Sequence, residues 1–361
     1  MKDILNVGVV GAGAISGIYL ENMVNMFSNI RPVAVCAAHL ERAQARADQF
    51  GIDACTLEQM LARTDVDIIV NLTPVSEHYS IVKQALLAGK HAYTEKTIAA
   101  SVEQAKELCA LADEKGLYLG SAPDTFLGAA VQGAKKLLDE GAIGEVNSFS
   151  ISINRSNDIL TNIFPFLRLP GAGVLRDYEV YYLTVLVSLL GPASRTCALV
   201  RAPYQERINR IPGTKDYGET VRTPNESVVS AILEMDNGVV GTIHQNHESI
   251  KSDRADFAIY GREGVLLLSN PNYFGGTVKL LKDEPGLATD TEPDSVVTIA
   301  EPGNEFSGNC RGLGVSEMAD AILHGRPNKA TKEQALHVLS ILEAMEKSNE
   351  TGQMVDICSV L

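Results

Sequence analysis

The sequence predicts an α/β domain with a doubly wound parallel sheet, followed by an α+β domain with a large, mostly antiparallel open sheet. Two patterns predict this fold class. Short β-rich runs alternate with helical stretches over the first third of the chain, whereas strand-like runs follow one another in the second half. The 361 residues exceed what one hydrophobic core usually serves. We therefore expect two domains, at 1–122 and 123–361.

The strands and helices of the first domain follow from apolar runs and helical periodicity. Strands are predicted at Leu5–Val10, 33–37, 66–72, 91–94 and 117–120. Stretches of helical period lie between them, such as 80–87 and 102–115. Strands that alternate with helices form right-handed βαβ units and therefore a parallel sheet. The mostly apolar segment 67–70 is typical of a strand that is buried on both faces.

The second domain begins with one helix at 129–140 and then changes its pattern. Strands are predicted at 148–154, 228–235, 239–245, 255–260 and 265–269, and helices at 178–190, 312–324 and 332–350. Asp236, Asn237 and Gly238 separate two of these strands. Because Asn-Gly accepts positive φ angles, we expect a hairpin with a type I′ turn there. Strands that follow one another directly indicate a mostly antiparallel sheet.

The composition limits the kinds of partner. A net charge of −14 disfavours nucleic acid and anionic lipid. No apolar stretch reaches membrane-spanning length, and the first residues lack the pattern of a signal peptide. The six cysteines are scattered without a C-x-x-C pair, so neither a metal site nor a disulfide framework is expected. We expect a cytoplasmic protein without a membrane or nucleic-acid partner.

A glycine-rich turn directly follows the first predicted strand. Gly11, Gly13 and Ser16 form the pattern G-x-G-x-x-S, which permits a tight turn, a close approach of the backbone to a pyrophosphate, and close packing of helix on strand. The helix N-terminus that follows offers free N–H groups to phosphates. The pattern predicts a Rossmann domain that binds NAD(P), with Ala14 and Ile15 also at the cofactor. The alternative is a glycine-rich turn that binds nothing.

The ribose end of this predicted site lacks its usual acid. NAD-binding domains place Asp or Glu after the second strand, where it accepts from the ribose 2′-hydroxyl, but the segment 36–39 contains no acid. The small side chain of Ala37 leaves room for a 2′-phosphate, which His39 or Arg42 would neutralise. The sequence therefore favours NADP. In the alternative interpretation Arg42 is a solvated helix residue and the cofactor is NAD.

Further motifs resemble those of the Gfo/Idh/MocA oxidoreductase family, whose members include glucose-fructose oxidoreductase and inositol dehydrogenase. They occur at 11–16, 71–74 with His78, 88–91 leading to 95–96, 122–128, 171–177 and 271–276. The resemblance covers nearly the whole chain, and the order and spacing of the motifs make it specific. We accordingly add to the cofactor site Leu72, Thr73, Pro74, His78 and Glu95. In the alternative interpretation, His78 is a surface histidine in the first turn of a helix.

The resemblance also implies that a lysine of an E-K-P motif lies beside the nicotinamide and the reacting hydroxyl. Its counterpart here is Glu95-Lys96-Thr97, so Lys96 is the first catalytic candidate. The alternative is a surface lysine beyond a strand end. Lys96 is also a candidate for contact with both cofactor and substrate.

A second catalytic stretch of the family, G-G-G-x-x-x-D-x-G-x-H-x-x-D, corresponds to 171–184. Asp177 matches its first aspartate, whereas Tyr181 stands at the histidine and Thr184 at the last aspartate. Glu179 stands where glycine is usual, and Thr97 replaces the proline of the lysine motif. The chain resembles a branch of the family with Tyr in place of the usual catalytic His, which puts that general base in doubt.

Oxidation of a secondary alcohol requires a proton acceptor while hydride moves to the nicotinamide. Lysine and tyrosine, with ordinary pKa values of about 10.4 and 10, are poor bases at neutral pH unless desolvation or a nearby positive charge lowers the pKa. We expect Lys96 and Tyr181 to hold and deprotonate the hydroxyl, while Asp177 orients them or binds a neighbouring hydroxyl. Alternatively, Tyr181 is a core aromatic residue, and Asp177 is the N-cap of the helix that follows it.

The remaining candidates are polar side chains of the second domain. Asp124 lines the cleft or caps a turn, and Asn162 completes the substrate-binding candidates. His244 and His247 do not share one face of a strand, so a metal site there is not expected. An acidic substrate would suit three arginines that otherwise form solvated ion pairs: Arg155, Arg168 and Arg176.

These observations predict an NAD(P)-dependent dehydrogenase or reductase that acts on a CH–OH group of a sugar, cyclitol or glycoside. One alternative is a glycoside-cleaving or lyase enzyme that oxidises the sugar transiently and regenerates the cofactor. Another is a non-catalytic dinucleotide-binding sensor, which the loss of the usual histidine favours. The resemblance further implies a homodimer or homotetramer that uses the exposed face of the C-terminal sheet.

Overall fold

The computed structural model describes residues 3–169, 171–250, 256–282, 295–298 and 306–358. The chain divides into two compact units. Of the described residues, those within 3–127 and 309–339 belong to the first unit, and those within 128–308 and 340–358 belong to the second. This division differs from the predicted boundary at 122/123, and a segment near the C-terminus returns to the first unit.

The first unit is built on a six-stranded sheet. Its strands are β1 (Leu5–Val10), β2 (Ile30–Cys36), β3 (Asp53–Cys55), β4 (Ile68–Asn71), β5 (His91–Thr94) and β6 (Leu119–Ser121). Their order is β3-β2-β1-β4-β5-β6, and every neighbouring pair is parallel. The predicted doubly wound Rossmann sheet is thereby confirmed. In such a sheet, ligands bind at the carboxyl ends of the strands where the strand order reverses, here between β1 and β4.

The helices of this unit begin and end where local sequence signals place them. They are α1 (Ser16–Asn25), α2 (Leu40–Phe50), α3 (Leu57–Ala62), α4 (Val75–Leu87) and α5 (Val102–Lys115). Ser101 caps α5 by accepting from the N–H of Gln104, and Gly116 ends it in the left-handed region. Helix α4 begins five residues before its predicted start, directly after Pro74, which cannot donate a hydrogen bond.

Strand β4 lies in the core of the first unit. All four of its residues are buried, which confirms the prediction of a strand buried on both faces. Ile69 packs in one cluster with Val82 and Leu86 of α4 and Leu108 of α5. Burial of each such side chain contributes roughly 1.5–3 kcal/mol, so this core holds the carboxyl ends of β4 and β5 in place.

The second unit contains a nine-stranded sheet in the part of the chain that the structure describes. Its strands are β7 (Val146–Asn154), β8 (Ala193–Arg201), β11 (Val228–Met235), β12 (Val240–Asn246), β13 (Asp256–Gly261), β14 (Gly264–Leu268), β15 (Val278–Lys282), β16 (Ser295–Thr298) and β17 (Val355–Asp356). Strands β9 (Glu206–Ile208) and β10 (Thr220–Arg222) form a separate ribbon. The sheet order is β16-β15-β14-β13-β7-β12-β11-β8-β17, and only the pair β7–β12 is parallel. The predicted mostly antiparallel sheet is confirmed.

Five helices complete the chain: α6 (Ala129–Asp139), α7 (Asn157–Ile163), α8 (Val180–Leu190), α9 (Leu313–His324) and α10 (Lys332–Thr351). Helix α9 belongs to the first unit. The Nδ2 of Asn22 in α1 donates to the carbonyl oxygens of Asn309 and Arg311, just before α9. These bonds give the physical reason why 309–339 joins the first unit. No helix in the described part of the chain combines the length and apolar character needed to cross a membrane.

The turn between β11 and β12 differs from its prediction. Gly238 has a φ of 85°, but Asn237 is not in the positive-φ region, so the expected type I′ turn was wrong. The side-chain Oδ1 of Asn237 instead accepts from the N–H of Val239 at 3.1 Å. This local bond stabilises a three-residue loop in which only the glycine has a positive φ.

Candidate active site

The first glycine of the turn after β1 is required by the fold itself. Gly11 has a φ of 110°, which side chains other than hydrogen rarely allow. A Cβ atom there would lie 2.9 Å from the carbonyl carbon and oxygen of Leu72, after β4. The N–H of Gly11 donates to the carbonyl oxygen of Cys36 at 2.8 Å. The turn is therefore held between the ends of β2 and β4.

The second glycine has a different environment. A Cβ atom at Gly13 would meet no atom within 4 Å, so this position faces open space. Within the described residues, the N–H groups of Gly13, Ala14 and Ile15 have no acceptor, and no side chain caps α1. A helix N-terminus with unpaired N–H groups is an anion-binding arrangement. The geometry thus fits a pyrophosphate.

Arg46 lies beside this turn and was missed by the sequence analysis. The buried Ser16 donates from Oγ to the carbonyl oxygen of Gly13 at 2.7 Å and accepts from Nε of Arg46 at 3.1 Å. Arg46 lies in α2, one helical turn after Arg42. Because α2 packs along α1, the guanidinium of Arg46 reaches the glycine-rich turn. The sequence did offer one signal for Arg46: it is spaced one helical turn from Arg42, so both side chains lie on the same face of α2. Arg46 therefore stabilises the glycine-rich turn through its hydrogen bond to Ser16.

The end of β2 is open, as expected from its small residues. Ala37 is half-buried, and His39 and Arg42 are both exposed. His39 is the N-terminal flanking residue of α2 but makes no capping hydrogen bond with its side chain. Two basic side chains are therefore available near the predicted ribose position.

The loop after β4 is ordered by a buried amide. Asn71 is fully buried, and its Oδ1 accepts from the backbone N–H of Thr73 at 3.3 Å and from its hydroxyl at 2.7 Å. Its Nδ2 donates to Oγ1 of Thr94 in β5 at 3.2 Å. Asn71 thus ties the loop that contains Leu72, Thr73 and Pro74 to the neighbouring strand.

His78 connects this loop with the one that follows β5. Its ring is 1% exposed, Nε2 lies 2.8 Å from the carbonyl oxygen of Thr73, and Nδ1 lies 2.7 Å from that of Thr97. Burial lowers the pKa of His78. The surface alternative for His78 was wrong, because the helix that carries it packs this first turn inward. Both nitrogens face protein carbonyls, so we assign His78 to positioning of the lysine loop.

The loop after β5 presents Lys96. Glu95 accepts from the hydroxyl of Tyr19 at 2.7 Å through Oε1 and from the backbone N–H of Lys96 at 3.2 Å through Oε2. The peptide bond between Lys96 and Thr97 is cis. Lys96 is half-buried, at the carboxyl edge of the sheet one strand beyond the point where the strand order reverses. Its catalytic role stays a prediction.

Asp124 has a capping role, which agrees with the second of the two interpretations that the sequence offered for it. Its carboxyl group is 2% exposed, and Oδ2 accepts from the N–H groups of Gly312 at 3.2 Å and Gly314 at 2.9 Å, at the start of α9. Burial, with a smaller contribution from nearby Glu95, raises the pKa of Asp124 to about 6. Its enclosure by the returning segment, which the sequence could not indicate, leaves no support for a substrate contact.

In the second unit, Asp177 lies inside a π-helical turn, Leu175–Glu179, that leads into α8. The N-cap alternative for Asp177 was therefore wrong, because helical geometry begins before it. Asp177 is half-buried and lines a small cavity together with Arg155, Glu226 and His247. Tyr181, one turn further along, is 9% exposed and contacts the ring of Tyr178, with centroids 6.1 Å apart.

Asn162 is committed to contacts within α7 and its surroundings. It is 2% exposed, its Nδ2 donates to the carbonyl oxygen of Asp158, and its Oδ1 accepts from Arg168 at 2.6 Å. Arg168 also pairs with Asp216, and Arg176 pairs with Glu346 at 2.7 Å. These partners satisfy the groups that an acidic substrate would use, and the ion-pair alternative holds for both arginines.

The two histidines near the end of β12 have different environments. His244 lies in β12 and is exposed, whereas His247 follows β12 and is buried. Among the residues that the structure describes, no group of three or more His, Cys, Asp or Glu side chains is arranged to hold a metal ion.

Two family models match this chain. The model of an oxidoreductase family with an NAD-binding Rossmann fold, GFO_IDH_MocA, matches residues 5–122, and that of the GFO/IDH/MocA C-terminal domain matches residues 131–267. The matches cover most of both units and include the glycine-rich turn, the lysine loop and the π-helical turn.

Characterised relatives are similar over nearly the whole length or over half of it. The chain is 24% identical to D-glucoside 3-dehydrogenase of Escherichia coli (strain K12), over 98% of this chain and 97% of the relative. It is 23% identical to scyllo-inositol 2-dehydrogenase (NADP(+)) of Bacillus subtilis (strain 168), over 96% and 95%. It is 33% identical to dTDP-3,4-didehydro-2,6-dideoxy-alpha-D-glucose 3-reductase of Streptomyces violaceoruber, over 53% of this chain and 56% of the relative.

Solved structures share the fold. Levoglucosan dehydrogenase in complex with NADH and L-sorbose superposes with a TM-score of 0.84 at 20% identity, over 99% of both chains. An NAD binding oxidoreductase from Klebsiella pneumoniae gives a TM-score of 0.83 at 20% identity, also over 99% of both chains.

Proposed function

Because this chain belongs to the Gfo/Idh/MocA oxidoreductase family, we propose that it is an NAD(P)-dependent oxidoreductase acting on a secondary hydroxyl or ketone of a sugar, cyclitol or glycoside. Relatives that align over nearly the whole chain carry the names of a glucoside and an inositol dehydrogenase. One observation carries the proposal. The unpaired N–H groups after β1 and Lys96 after β5 lie at the same edge of one parallel sheet, on either side of β4.

The residues of the first unit suit a dinucleotide. Gly13 leaves room for a pyrophosphate beside the N-terminus of α1, and Gly11 keeps the turn close to Leu72. Tyr19 and Glu95 hold the backbone of Lys96 at the carboxyl edge of the sheet, where Lys96 would face the nicotinamide end of a bound dinucleotide. The nicotinamide ring supplies the hydride acceptor or donor.

We assign the proton to the chain's own side chains. In the oxidation, the amine of Lys96 accepts the hydroxyl proton while the C–H bond releases hydride, and the reduction returns the proton to the ketone oxygen. His78 and Glu95 hold the loop on which the amine is carried. In the second unit, we propose that the hydroxyl of Tyr181 relays a proton and that the carboxylate of Asp177 accepts a hydrogen bond from a substrate hydroxyl.

We further propose a preference for NADP. The segment after β2 contains no acid to bind the ribose 2′-hydroxyl, and Arg42 and His39 are exposed beside half-buried Ala37. A 2′-phosphate would accept hydrogen bonds from a guanidinium that has room to turn toward it. The inositol dehydrogenase relative carries NADP(+) in its name.

A homodimer or homotetramer in a reducing cytoplasm completes the proposal. The described cysteines are free thiols, as a reducing compartment requires. Light scattering on the purified protein measures the assembly directly, and a monomeric mass at working concentration contradicts this part alone.

The test is a panel of cyclitols, aldoses and methyl glycosides with NAD⁺ and NADP⁺, followed by absorbance at 340 nm. Lys96→Met is expected to abolish turnover while cofactor binding, measured by fluorescence titration, persists. Lys136→Met, at a lysine whose side chain is 76% exposed on α6, is the matched control and keeps full activity. Full turnover in Lys96→Met contradicts the assignment of the base.

Other results of the panel favour the alternative functions. Product that forms without net reduction of the cofactor indicates glycoside cleavage or elimination through transient oxidation. Tight binding of the dinucleotide without turnover of any panel member indicates a sensor.

A further inference from the structure

A small cavity lies beside Asp177 in the second unit. Its volume is about 20 Å³, and by the same measure a site for one water requires roughly 10–15 Å³. Helix α7 contributes Asn157 and Thr161 to its polar lining. The loop after β7, the π-helical turn and the segments after β10 and β12 contribute the rest: Arg155, Asp177, Thr223, Asn225, Glu226 and His247. The cavity accepts one group of the size of a water molecule or a hydroxyl.

His247 is one of the residues that line this cavity, and it has an unsatisfied polar atom. The residue is 2% exposed, and Nε2 has no hydrogen-bond partner among the described residues. Buried polar atoms in folded proteins are nearly always paired, because an unpaired one loses its hydration without compensation. An unpaired nitrogen on a residue that lines a cavity of this size points to a small polar group as its missing partner.

The position of His247 is held from several sides. Its N–H donates to the carbonyl oxygen of Ser227 and its carbonyl accepts from the N–H of Asn157, both at 2.8 Å. Its ring lies edge-on to Tyr178, with centroids 5.5 Å apart. The hydroxyl of Tyr178 accepts from Nδ2 of Asn270 at 2.6 Å. The imidazole is therefore preorganised to hold a partner in one place.

The charges around the cavity select a neutral ligand group. Burial, with a smaller contribution from Arg155, lowers the pKa of His247 to about 3, so the imidazole is neutral at physiological pH. The guanidinium of Arg155 stacks 4.0 Å from the centre of the Tyr178 ring. Because Asp177 and Glu226 line the same cavity, a carboxylate or phosphate would meet two acidic side chains. A hydroxyl both donates and accepts, and it suits acidic and imidazole neighbours alike.

We propose that His247 determines substrate specificity by hydrogen-bonding, through Nε2, a non-reacting hydroxyl of the substrate that enters this cavity. The inference rests on the proposed function, because it takes the substrate to be a polyol. In this inference, His247 supplies an imidazole from the segment directly after β12. Helix α8 of the same unit carries Tyr181 at the position where the resemblance implies a histidine. The second unit thus recognises a hydroxyl pattern rather than an acidic group.

The experiment compares the wild-type enzyme with His247→Phe and His247→Gln on the best sugar of the panel and on its monodeoxy analogues. His247→Phe keeps a ring against Tyr178 but removes the nitrogen, and is expected to lower kcat/KM about tenfold on the parent sugar, mostly through KM. On the one deoxy analogue that lacks the recognised hydroxyl, wild type and His247→Phe are expected to be equal. His247→Gln, whose amide reaches the position of Nε2, restores most of the loss. His324→Gln, at an exposed histidine of α9, is the matched control and leaves kcat/KM unchanged.

A second measurement does not depend on turnover. In protein labelled with ¹⁵N-histidine, the Nε2 resonance of His247 is expected to shift when the parent sugar is added and to stay in place with that deoxy analogue. Turnover with equal kcat/KM for all His247 variants on every analogue overturns the inference and leaves the proposed function standing. A shifted resonance without turnover by the wild-type protein supports the inference and contradicts the proposed reaction. If the wild-type protein shows no turnover and its Nε2 resonance does not shift, the result contradicts both the inference and the proposed function.

Discussion

The Nδ1 atom of His78 lies 2.7 Å from the carbonyl oxygen of Thr97, the residue that follows the proposed catalytic lysine. The same ring contacts the carbonyl oxygen of Thr73 through Nε2. A neutral imidazole donates to only one of two carbonyls at a time. The loops after β4 and β5 are thus joined by one side chain that is buried in the first unit.

Replacement of His78 by Leu is expected to lower kcat by roughly 10- to 100-fold, because a small displacement of a reacting group costs that much. The ring of His78 hydrogen-bonds to the loops after β4 and β5 and not to the N-terminus of α1, so the affinity for cofactor is expected to stay within about twofold. His78→Gln, which can still donate to one carbonyl, recovers part of the rate. Steady-state kinetics with a fluorescence titration separates the two effects, and equal losses of kcat and of cofactor affinity would argue against a positioning role.

Replacement of the two glycines after β1 by alanine is predicted to affect different properties, namely stability at Gly11 and cofactor binding at Gly13. Gly11→Ala forces a Cβ atom into the backbone of Leu72 at an unfavourable φ, so the free protein is destabilised by roughly 1–3 kcal/mol. Gly13→Ala meets open space, so it melts like the wild-type protein but binds dinucleotide at least about tenfold more weakly. Thermal melting and titration test both, and unchanged binding in Gly13→Ala would remove this position from the cofactor site.

The cofactor preference is expected to depend on Arg42 and not on Arg46. Arg42→Ala removes an exposed guanidinium and is expected to weaken NADPH binding about tenfold while NADH binding is unchanged. Arg46→Ala removes the bond to Ser16 and weakens both cofactors to the same extent. Equal affinities of Arg42→Ala and wild type for NADPH would favour the alternative in which the cofactor is NAD.

The cap on α9 predicts a stability effect at Asp124. Asp124→Ala leaves the N–H groups of Gly312 and Gly314 without their acceptor, at a cost of roughly 1–3 kcal/mol. Asp124→Asn retains an acceptor oxygen and costs less. Denaturant unfolding measures the free energies, and an unchanged stability of Asp124→Ala would contradict the capping role.

Glu179 predicts a pH dependence of stability. The side chain is fully buried, and neither carboxyl oxygen has a hydrogen-bond partner in the described part of the chain. Burial raises its pKa to about 8, and the neighbouring Glu226 also raises it. The unfolded chain ionises this group near its ordinary pKa of about 4.5, whereas the folded chain keeps the proton until about pH 8. The contribution to stability is therefore full below pH 4.5 and is lost as the pH rises to 8.

Glu179→Gln cannot ionise, so its melting temperature relative to wild type is expected to rise between pH 5 and pH 8. A change of 1 kcal/mol moves the melting temperature by roughly 1–2 °C in a chain of 361 residues. A difference that is constant across this pH range would show that Glu179 is ionised in the folded protein. Glu346→Gln, at a partly exposed carboxylate paired with Arg176, is a control for a general effect of charge.

Several elements could be predicted because local sequence determines them. Three elements have the predicted bounds: Leu5–Val10, His91–Thr94 and Val102–Lys115. The two strands are apolar runs bounded by glycine or polar residues, and the helix is bounded by a serine cap and a closing glycine. These signals act within a few residues. The helix at 80–87 was predicted too short because its first turn carries three polar side chains, of which the fold buries only His78. The turn at Asn237 was assigned from a dipeptide preference, which the side-chain bond to Val239 overrides.

The sequence by itself determined the class of the fold and the glycine turn after the first strand, because periodicity and φ requirements are properties of neighbouring residues. The lysine after the fifth strand was singled out by the resemblance of its motif to that of a family. Only the tertiary structure decided that Arg46 supports the turn, that residues 309–339 return to the first unit with Asp124 capping the start of α9, and that Nε2 of the buried His247 has no partner among the described residues. These features depend on burial and hydrogen bonds between residues distant in the chain, and no local pattern contains that information.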